Sequence, residues 1–322
     1  MALNTFRVGV LMGGRSAERA ISLKSGEAIY RALRRLGYSV ARIDVDETLP
    51  WKLRSNRVDV AFLALHGPGG EDGTVQGLLE VLRIPYTGSG VRASAVAMDK
   101  PMTKDLLATQ GIPIPRGIVL EKPARHFSLP TWLTWPLVVK PAAQGSTVGV
   151  TIVRSSSEWN QALHKAFQQD HHVVVETYIA GREMAVGVLD DKVFPSVEIL
   201  APEGFYDYAA KYEKSGTCYV CPALLTQKQE ARLRDFSTRA YALLGCAGAA
   251  RVDFRLNRQG RPFVLEVNTI PGMTERSLLP MAAAQAGLDY EALTEQMLCS
   301  ALNQAGWSSR MFSKQKGAKG KT

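Results

Sequence analysis

The segment Leu265–Met273, LEVNTIPGM, carries Glu266 and Asn268 two residues apart in an otherwise apolar run. In a strand, residues i and i+2 share a face, so this carboxylate and this amide project together. A second apolar run, Ala249–Leu256 (AARVDFRL), carries Asp253, and N-R-Q-G at Asn257–Gly260 joins the two as a hairpin. Adjacent strands would aim Asp253, Glu266 and Asn268 at one point. Two carboxylates and an amide oxygen form a hard, all-oxygen set of the kind that holds Mg²⁺ or Mn²⁺ together with substrate phosphates. The plainer reading is the solvated face of a half-buried antiparallel pair, since alternation is the ordinary strand pattern.

Three further constellations bear on that choice. In VVKPAAQGSTVGV, Lys140 ends a strand and Gln144-Gly145-Ser146-Thr147 follows as a turn of small residues. Such a turn exposes backbone N–H groups, and with a lysine beside it makes a phosphate cradle. It is no Walker motif, and a Gly-Ser turn is more often only a turn; its weight comes from the oxygen cluster downstream. His66–Gly73, HGPGGEDG, sets a histidine and a glycine-dense run at the end of a strand, where glycine lets the backbone approach a ligand closely. A lone histidine is more often a satisfied core residue. DYAAKYEKSGTCYVCP joins Lys211 and Tyr212 to a glycine-bearing polar loop of the kind that often serves as a lid. The CYVC within it lacks a second Cys/His pair at ligand spacing, so Cys218 and Cys221 are assigned no role.

The elements that must position these groups fall into two parts. FRVGVLMGG, VDVAFLALHG and the short IPYTGSG read as strands alternating with helices at SAERAISLKSGEAIYRALRRLGY and GTVQGLLEVLRI. That alternation predicts a doubly wound parallel sheet, with ligands at the C-terminal ends of its strands. Gly13-Gly14 with Glu18, and the His66 run, fall at such ends. After a helix near DKPMTKDLLATQ and the Pro-rich GIPIP, the pattern becomes strand, Gly-rich turn and strand. The meander VVVETYIAGREMAVGVLDDKVFPSVEIL, the helix TQKQEARLRDFSTRAYALLG and the Asp253 and Glu266 strands follow. Antiparallel strands flanked by helices predict α+β for this second part.

The composition, 46% hydrophobic over 322 residues, fits a globular chain of more than one domain. The first residues lack a basic leader, and no later run reaches membrane-spanning length, so neither export nor a membrane is expected. Four cysteines in a chain of this size without an export signal suit a reducing cytoplasm. The net charge of +9 suggests nucleic acid until it is located. Arg310, Lys314, Lys316, Lys319 and Lys321 supply five of those charges within 309–322, where there is no acid, and the body keeps only four. The tail's composition predicts a disordered, solvated segment, and the body's charge fits anionic small substrates without nucleic acid.

The stretches GGRSAERAISLKSG, HGPGGEDGTVQGLLE, MDKPMTK, VVKPAAQGSTVG, DYAAKY, ARVDF and LEVNTIPGMTERSLLP, in that order, resemble the D-alanine–D-alanine ligases, ATP-grasp enzymes of peptidoglycan synthesis. The likeness runs from about residue 6 to 305. It implies an N-terminal α/β domain (1–98) and an ATP-grasp fold of two α+β subdomains (99–182 and 183–308). A mobile loop at about 203–221 and the basic tail complete the expected layout. It implies a cytoplasmic homodimer that takes ATP and D-alanine and uses two Mg²⁺ or Mn²⁺. By resemblance, Lys100, Lys140 and Lys211 hold phosphates, Glu176, Tyr178 and Ile179 line the adenine site, and Glu183 binds ribose. Asp253, Glu266 and Asn268 match the positions for two metal ions. Glu18 and Ser277 match the site of the first D-alanine; His66, Ser146, Tyr212, Arg251, Gly272 and Leu278 match the second and its surroundings. One departure stands in AAQGSTVG, where the family commonly has R-E-G-S-[SV]-V-G: Ala143 and Gln144 remove a charge pair from the turn.

The chemistry implied is activation of one D-alanine carboxylate as an acyl phosphate, followed by attack of a second D-alanine's amine. The competing enzyme is a ligase forming D-alanyl-D-lactate, or another ATP-grasp carboxylate–amine ligase. The loop tyrosine, Tyr212, argues against the lactate variant, which is expected to carry an apolar residue there. A nucleotide-binding module without turnover conflicts with the intact Asp253, Glu266 and Asn268. A polyanion-binding protein conflicts with the confinement of charge to the tail.

Overall fold

Seven residues, RVGVLMG, are buried almost throughout, the pattern of a central strand covered on both faces. They form β1 (Arg7–Gly13) in a computed structural model that describes residues 6–122, 129–145, 148–201 and 216–307. Then come α1 (Arg19–Arg35), β2 (Ser39–Val45), α2 (Leu49–Ser55) and β3 (Val60–Leu63), and the three strands make a parallel sheet in the order β2-β1-β3. In α1, Ile21, Ser25, Ile29 and Leu33 recur every fourth residue and are the face it buries. The expected third strand, IPYTGSG, is reduced to one parallel bridge between Ala61 and Tyr86, because Pro85 has no N–H to donate and Gly88, at φ +92°, leaves the strand conformation. The strand that flanks β1 on its other side, β2, was not foreseen. Its Arg42 and Asp44 break the apolar run that marks β1 and β3.

Helices α3 (Thr74–Val81) and α4 (Val91–Met98) lead to α5 (Lys100–Thr109). Asp99 caps α5 by accepting from the Met102 N–H at 2.9 Å, and Pro101 sits in its first turn. The next unit holds β4 (Gly117–Glu121), β5 (Leu137–Pro141), β6 (Thr151–Val153), α6 (Ser156–Phe167) and β7 (His172–Thr177). Its strands form an antiparallel sheet in the order β4-β7-β5-β6, with α6 packed on Leu137, Val139, Val153 and Val173.

The third sheet contains β8 (Gly181–Leu189), β9 (Lys192–Val193), β10 (Val197–Leu200) and β11 (Cys218–Val220), then, after α7 (Gln227–Leu244), β12 (Ala249–Asn257) and β13 (Pro262–Asn268). Its order is β11-β10-β8-β12-β13, with β9 on β8. Thr226 and Gln229 form a capping box on α7, and Gly245, at φ +70°, closes its other end. Leu233, Ala240 and Leu244 of α7 cover Met184, Val186, Val252 and Phe254 on one face of this sheet. On the other, α8 (Leu278–Gln285) and α9 (Tyr290–Gln304) share one core with Val8, Val10 and Met12 of β1. The expected meander is therefore divided, β7 in one sheet and β8 in another. The residues Cys218–Val220, expected within a mobile loop, pair as β11 with β10. Among the described residues no helix is long and apolar enough to cross a membrane.

Candidate active site

β12 and β13 pair antiparallel with Asp253 opposite Glu266 and Arg251 opposite Asn268, so these four side chains share one face of the ladder. The alternate residues Val252 and Val267 go to the core beneath α7. Between Asp253 and Phe254 the register slips by one, a bulge that leaves Leu265 without a partner and lets the face turn toward the cleft. Arg251 donates from Nε and Nη2 to the two oxygens of Asp253, each at 2.7 Å. Lys100 Nζ lies 3.7 Å from Glu266 and donates at 2.5 Å to the Gln144 carbonyl, while Asn268 Oδ1 accepts from the Ile270 N–H at 3.0 Å.

The second wall comes from the four-stranded sheet. Lys140 on β5 donates to Glu176 on β7 at 2.7 Å, and Lys104 of α5 presses its ammonium against the other oxygen of that carboxylate. All three are buried. Burial, then the Lys100 charge, lowers the pKa of Lys140 to about 8. Beyond them Arg255, opposite Glu183 in the β8–β12 ladder, approaches Glu183 at 3.4 Å and donates to the Tyr178 hydroxyl at 2.8 Å. Lys100, Lys140, Glu176, Tyr178, Ile179 and Glu183 line one cleft together with Asp253, Glu266 and Leu278.

A larger cavity, about 1150 Å³, adjoins it. Glu18, His66, Arg251, Asn268, Gly272, Ser277 and Leu278 line it, and Lys100, Gln144, Glu266 and Leu278 belong to both spaces. The two spaces thus meet at the oxygen cluster. Two glycines, one in the loop after β3 and one in the loop after β5, frame Glu18: a Cβ on Gly67 would stand 2.8 Å from its Oε2, and one on Gly145 2.6 Å. His66 is buried, with Nε2 3.4 Å from the Ser25 hydroxyl, and burial followed by the Arg251 charge lowers its pKa to about 4, so the imidazole is neutral. Ser277 Oγ accepts from the Thr274 N–H at 2.9 Å just under Gly272, where a Cβ would come within 2.9 Å of it.

Both halves of the chain match family models: residues 7–57 and 52–89 that of the D-ala D-ala ligase N-terminus, and 106–299 that of the D-ala D-ala ligase C-terminus. The chain is 48% identical to the D-alanine–D-alanine ligase of Syntrophotalea carbinolica, over 92% of this chain and 96% of that one. It is 45% identical to that of Geobacter sulfurreducens, over 93% and 95%. It belongs to the D-alanine–D-alanine ligase family. The fold agrees: a D-alanine–D-alanine ligase from Bacillus anthracis complexed with ATP superposes with a TM-score of 0.81 at 35% identity, covering 94% of this chain and 99% of that one.

Within this ligase-family chain, Ser146, Lys211 and Tyr212 lie outside the described residues, as do 203–215 of the expected loop and the tail 309–322. Every other residue to which the resemblance gives a substrate, nucleotide or metal role lines one of the two joined spaces. The turn that lacks the family's charge pair is anchored otherwise: the Ala143 N–H donates to Asp170 at 2.7 Å, and Gln144 Nε2 to the Gln169 carbonyl at 3.1 Å. Three residues were missed. Lys104 could have been found by its i,i+4 spacing from Lys100. Glu71 stands in the glycine run after His66; it is buried, accepts from the Gly67 N–H at 2.7 Å, and burial followed by the Glu18 charge raises its pKa. The contact of Arg255 with Glu183 and Tyr178 has no local signal. The four cysteines are free thiols.

Proposed function

We propose that this protein joins two D-alanines at the expense of ATP, forming D-alanyl-D-alanine for peptidoglycan precursors in the cytoplasm. The observation that carries this is the meeting of two cavities at Glu266 and Lys100: one is lined with buried lysines suited to phosphates, the other with Glu18, His66 and Arg251. ATP lies between the four-stranded and six-stranded sheets, with its base toward Glu176, Tyr178 and Ile179 and its ribose at Glu183. Lys100 and Lys140, with Lys211, neutralise its phosphates.

Asp253, Glu266 and Asn268 suit two Mg²⁺ or Mn²⁺, since the set is all oxygen, half-buried and already drawing positive charge from Arg251 and Lys100. Such ions, when bound, supply Lewis acidity and charge neutralisation at the phosphates. Glu18 and Ser277 hold the first D-alanine so that its carboxylate faces the terminal phosphoryl group. The carboxylate oxygen displaces ADP, giving an acyl phosphate. The second D-alanine is positioned by His66, Ser146, Tyr212 and Leu278, and its amine attacks the acyl carbon. Arg251 and the Gly272 N–H stabilise the oxyanion that forms, each such donor being worth about 3–4 kcal/mol in comparable sites. Inorganic phosphate then leaves.

The assembly in this reading is a homodimer, as the family likeness implies. Phosphate release from ATP, measured with and without D-alanine, tests the activity; release that does not depend on D-alanine would defeat it.

A further inference from the structure

Lys104 had no part in the sequence reading, yet it is as buried as the lysines on either side of it. It follows Lys100 by one turn of α5, so both point to the same side of the helix. Lys100 reaches across to the Gln144 carbonyl and Glu266, whereas Lys104 stops at Glu176. Glu176 therefore meets two ammonium groups, Lys104 at Oε2 and Lys140 at Oε1, with all three residues at most 6% exposed. One buried carboxylate needs one counter-ion. The second lysine is surplus while the cleft holds no nucleotide.

We propose that Lys104 is the standing counter-ion of Glu176, and that its presence frees Lys140 to leave Glu176 for the nucleotide phosphates. The inference rests on the reading above, in which Lys140 meets phosphate and Glu176 meets the base. When Lys140 turns away, Oε1 of Glu176 opens as an acceptor for the exocyclic amine of the purine, while Oε2 stays held by Lys104. Without Lys104, the same movement strips a buried carboxylate of its only cation, which is strongly unfavourable. Lys140 then stays on Glu176 and both nucleotide contacts suffer. Lys104 touches no substrate atom in this scheme: it is a positioning residue acting through Glu176 and Lys140.

The test is a thermodynamic cycle on the full-length protein. ATP binding is titrated calorimetrically, and KM is measured for ATP and for D-alanine, in the wild type, Lys104→Met, Glu176→Gln and the double variant, with thermal melts to establish folding. Lys104→Met is expected to weaken ATP binding and raise the KM for ATP about tenfold or more, with the KM for D-alanine held within about twofold. In the Glu176→Gln background the same substitution is expected to have no further effect, because no carboxylate is left to neutralise. If Lys104→Met does not fold, Lys104→Gln, which offers only a neutral donor to the carboxylate, carries the same expectation. Unchanged ATP affinity in either Lys104 variant, or losses that multiply in the double variant, would overturn the inference. A Glu176→Gln protein that binds ATP as the wild type does would instead overturn the placement of the base against Glu176.

Discussion

Arg251 grips both carboxylate oxygens of Asp253 from two residues away on the same strand, at 2.7 Å each. Together with Lys100 beside Glu266, this balances the charge of the oxygen cluster within the protein itself. Exhaustive chelation should therefore abolish ATP-dependent ligation while leaving the melting temperature of the nucleotide-free protein unchanged. A drop of several degrees on adding chelator would show that the fold needs the ions.

Replacing Glu266 by Gln keeps the shape of the side chain and removes its charge. Turnover should fall by at least about a hundredfold, the scale seen when a transition-state electrostatic contact is lost. The far-ultraviolet circular dichroism should be unaltered. Ordinary phosphate release by this folded variant would remove Glu266 from the phosphoryl-transfer site.

His66 titrates near 4 in the folded chain and near 6.5 when unfolded. Between those values the unfolded chain binds the extra proton, so stability falls as pH drops from about 6.5 to about 4, by up to roughly 3 kcal/mol for this group. Urea denaturation at steps through that range should show a steeper loss for the wild type than for His66→Gln. Parallel curves would mean that the imidazole is protonated as easily inside as outside.

Glu71 has the opposite sign. Burial and the Glu18 charge raise its folded pKa, so the stability it contributes is fully present below the ordinary carboxylate range and declines as pH rises. Glu71→Gln keeps an oxygen for the Gly67 N–H and has nothing to ionise. It should match the wild type near pH 4 and be the more stable of the two near pH 9, measured by denaturant midpoint. A variant that is less stable at the higher pH would show that the charged form of Glu71 is held by a favourable contact.

Gly181, at φ +150°, opens β8 where a Cβ would fall 1.8 Å from the Leu256 carbonyl oxygen. No side chain rotation relieves a clash with backbone. Gly181→Ala should cost about 2 kcal/mol or more in unfolding free energy and weaken ATP binding, because Glu183 lies two residues on. Chemical denaturation paired with nucleotide titration would reveal either effect.

How far the site could be read from the sequence depended on how local its geometry is. Asp253, Glu266 and Asn268 were legible because strand alternation and a tight hairpin fix their common face within twenty residues of chain. The bulge beside Asp253 was not, since nothing in AARVDFRL marks where the register slips. The contacts of Glu176 were equally hidden: they require α5 to lie against β5 and β7, a tertiary placement that no periodicity encodes. In the first sheet, β1 and β3 announced themselves by unbroken apolar runs, whereas β2, at the sheet's edge, carries Arg42 and Asp44 into ion pairs at the surface and reads as a polar stretch. The resemblance supplied roles that physical reading alone could not, such as ribose for Glu183. It was silent on Lys104 and Glu71, whose importance lies in what they neutralise or refuse to ionise.

Residues 117–177 leave and rejoin the rest of the protein side by side. Strand β4 begins where β7 ends, with Gly117 opposite Glu176 and the Thr177 N–H donating to the Arg116 carbonyl at 2.9 Å. Just outside, Pro113 accepts from the Val264 N–H at 2.8 Å on β13, and Gly181 is in register with Asn257 on β12. The chain thus enters and leaves the four-stranded sheet along one border with the third sheet, and Lys100 on the Gln144 carbonyl and Lys104 on Glu176 moor the same unit across the cleft. Lys140 and Glu176 ride on that unit together, so any change in its seating would shift both, as one body, relative to Asp253.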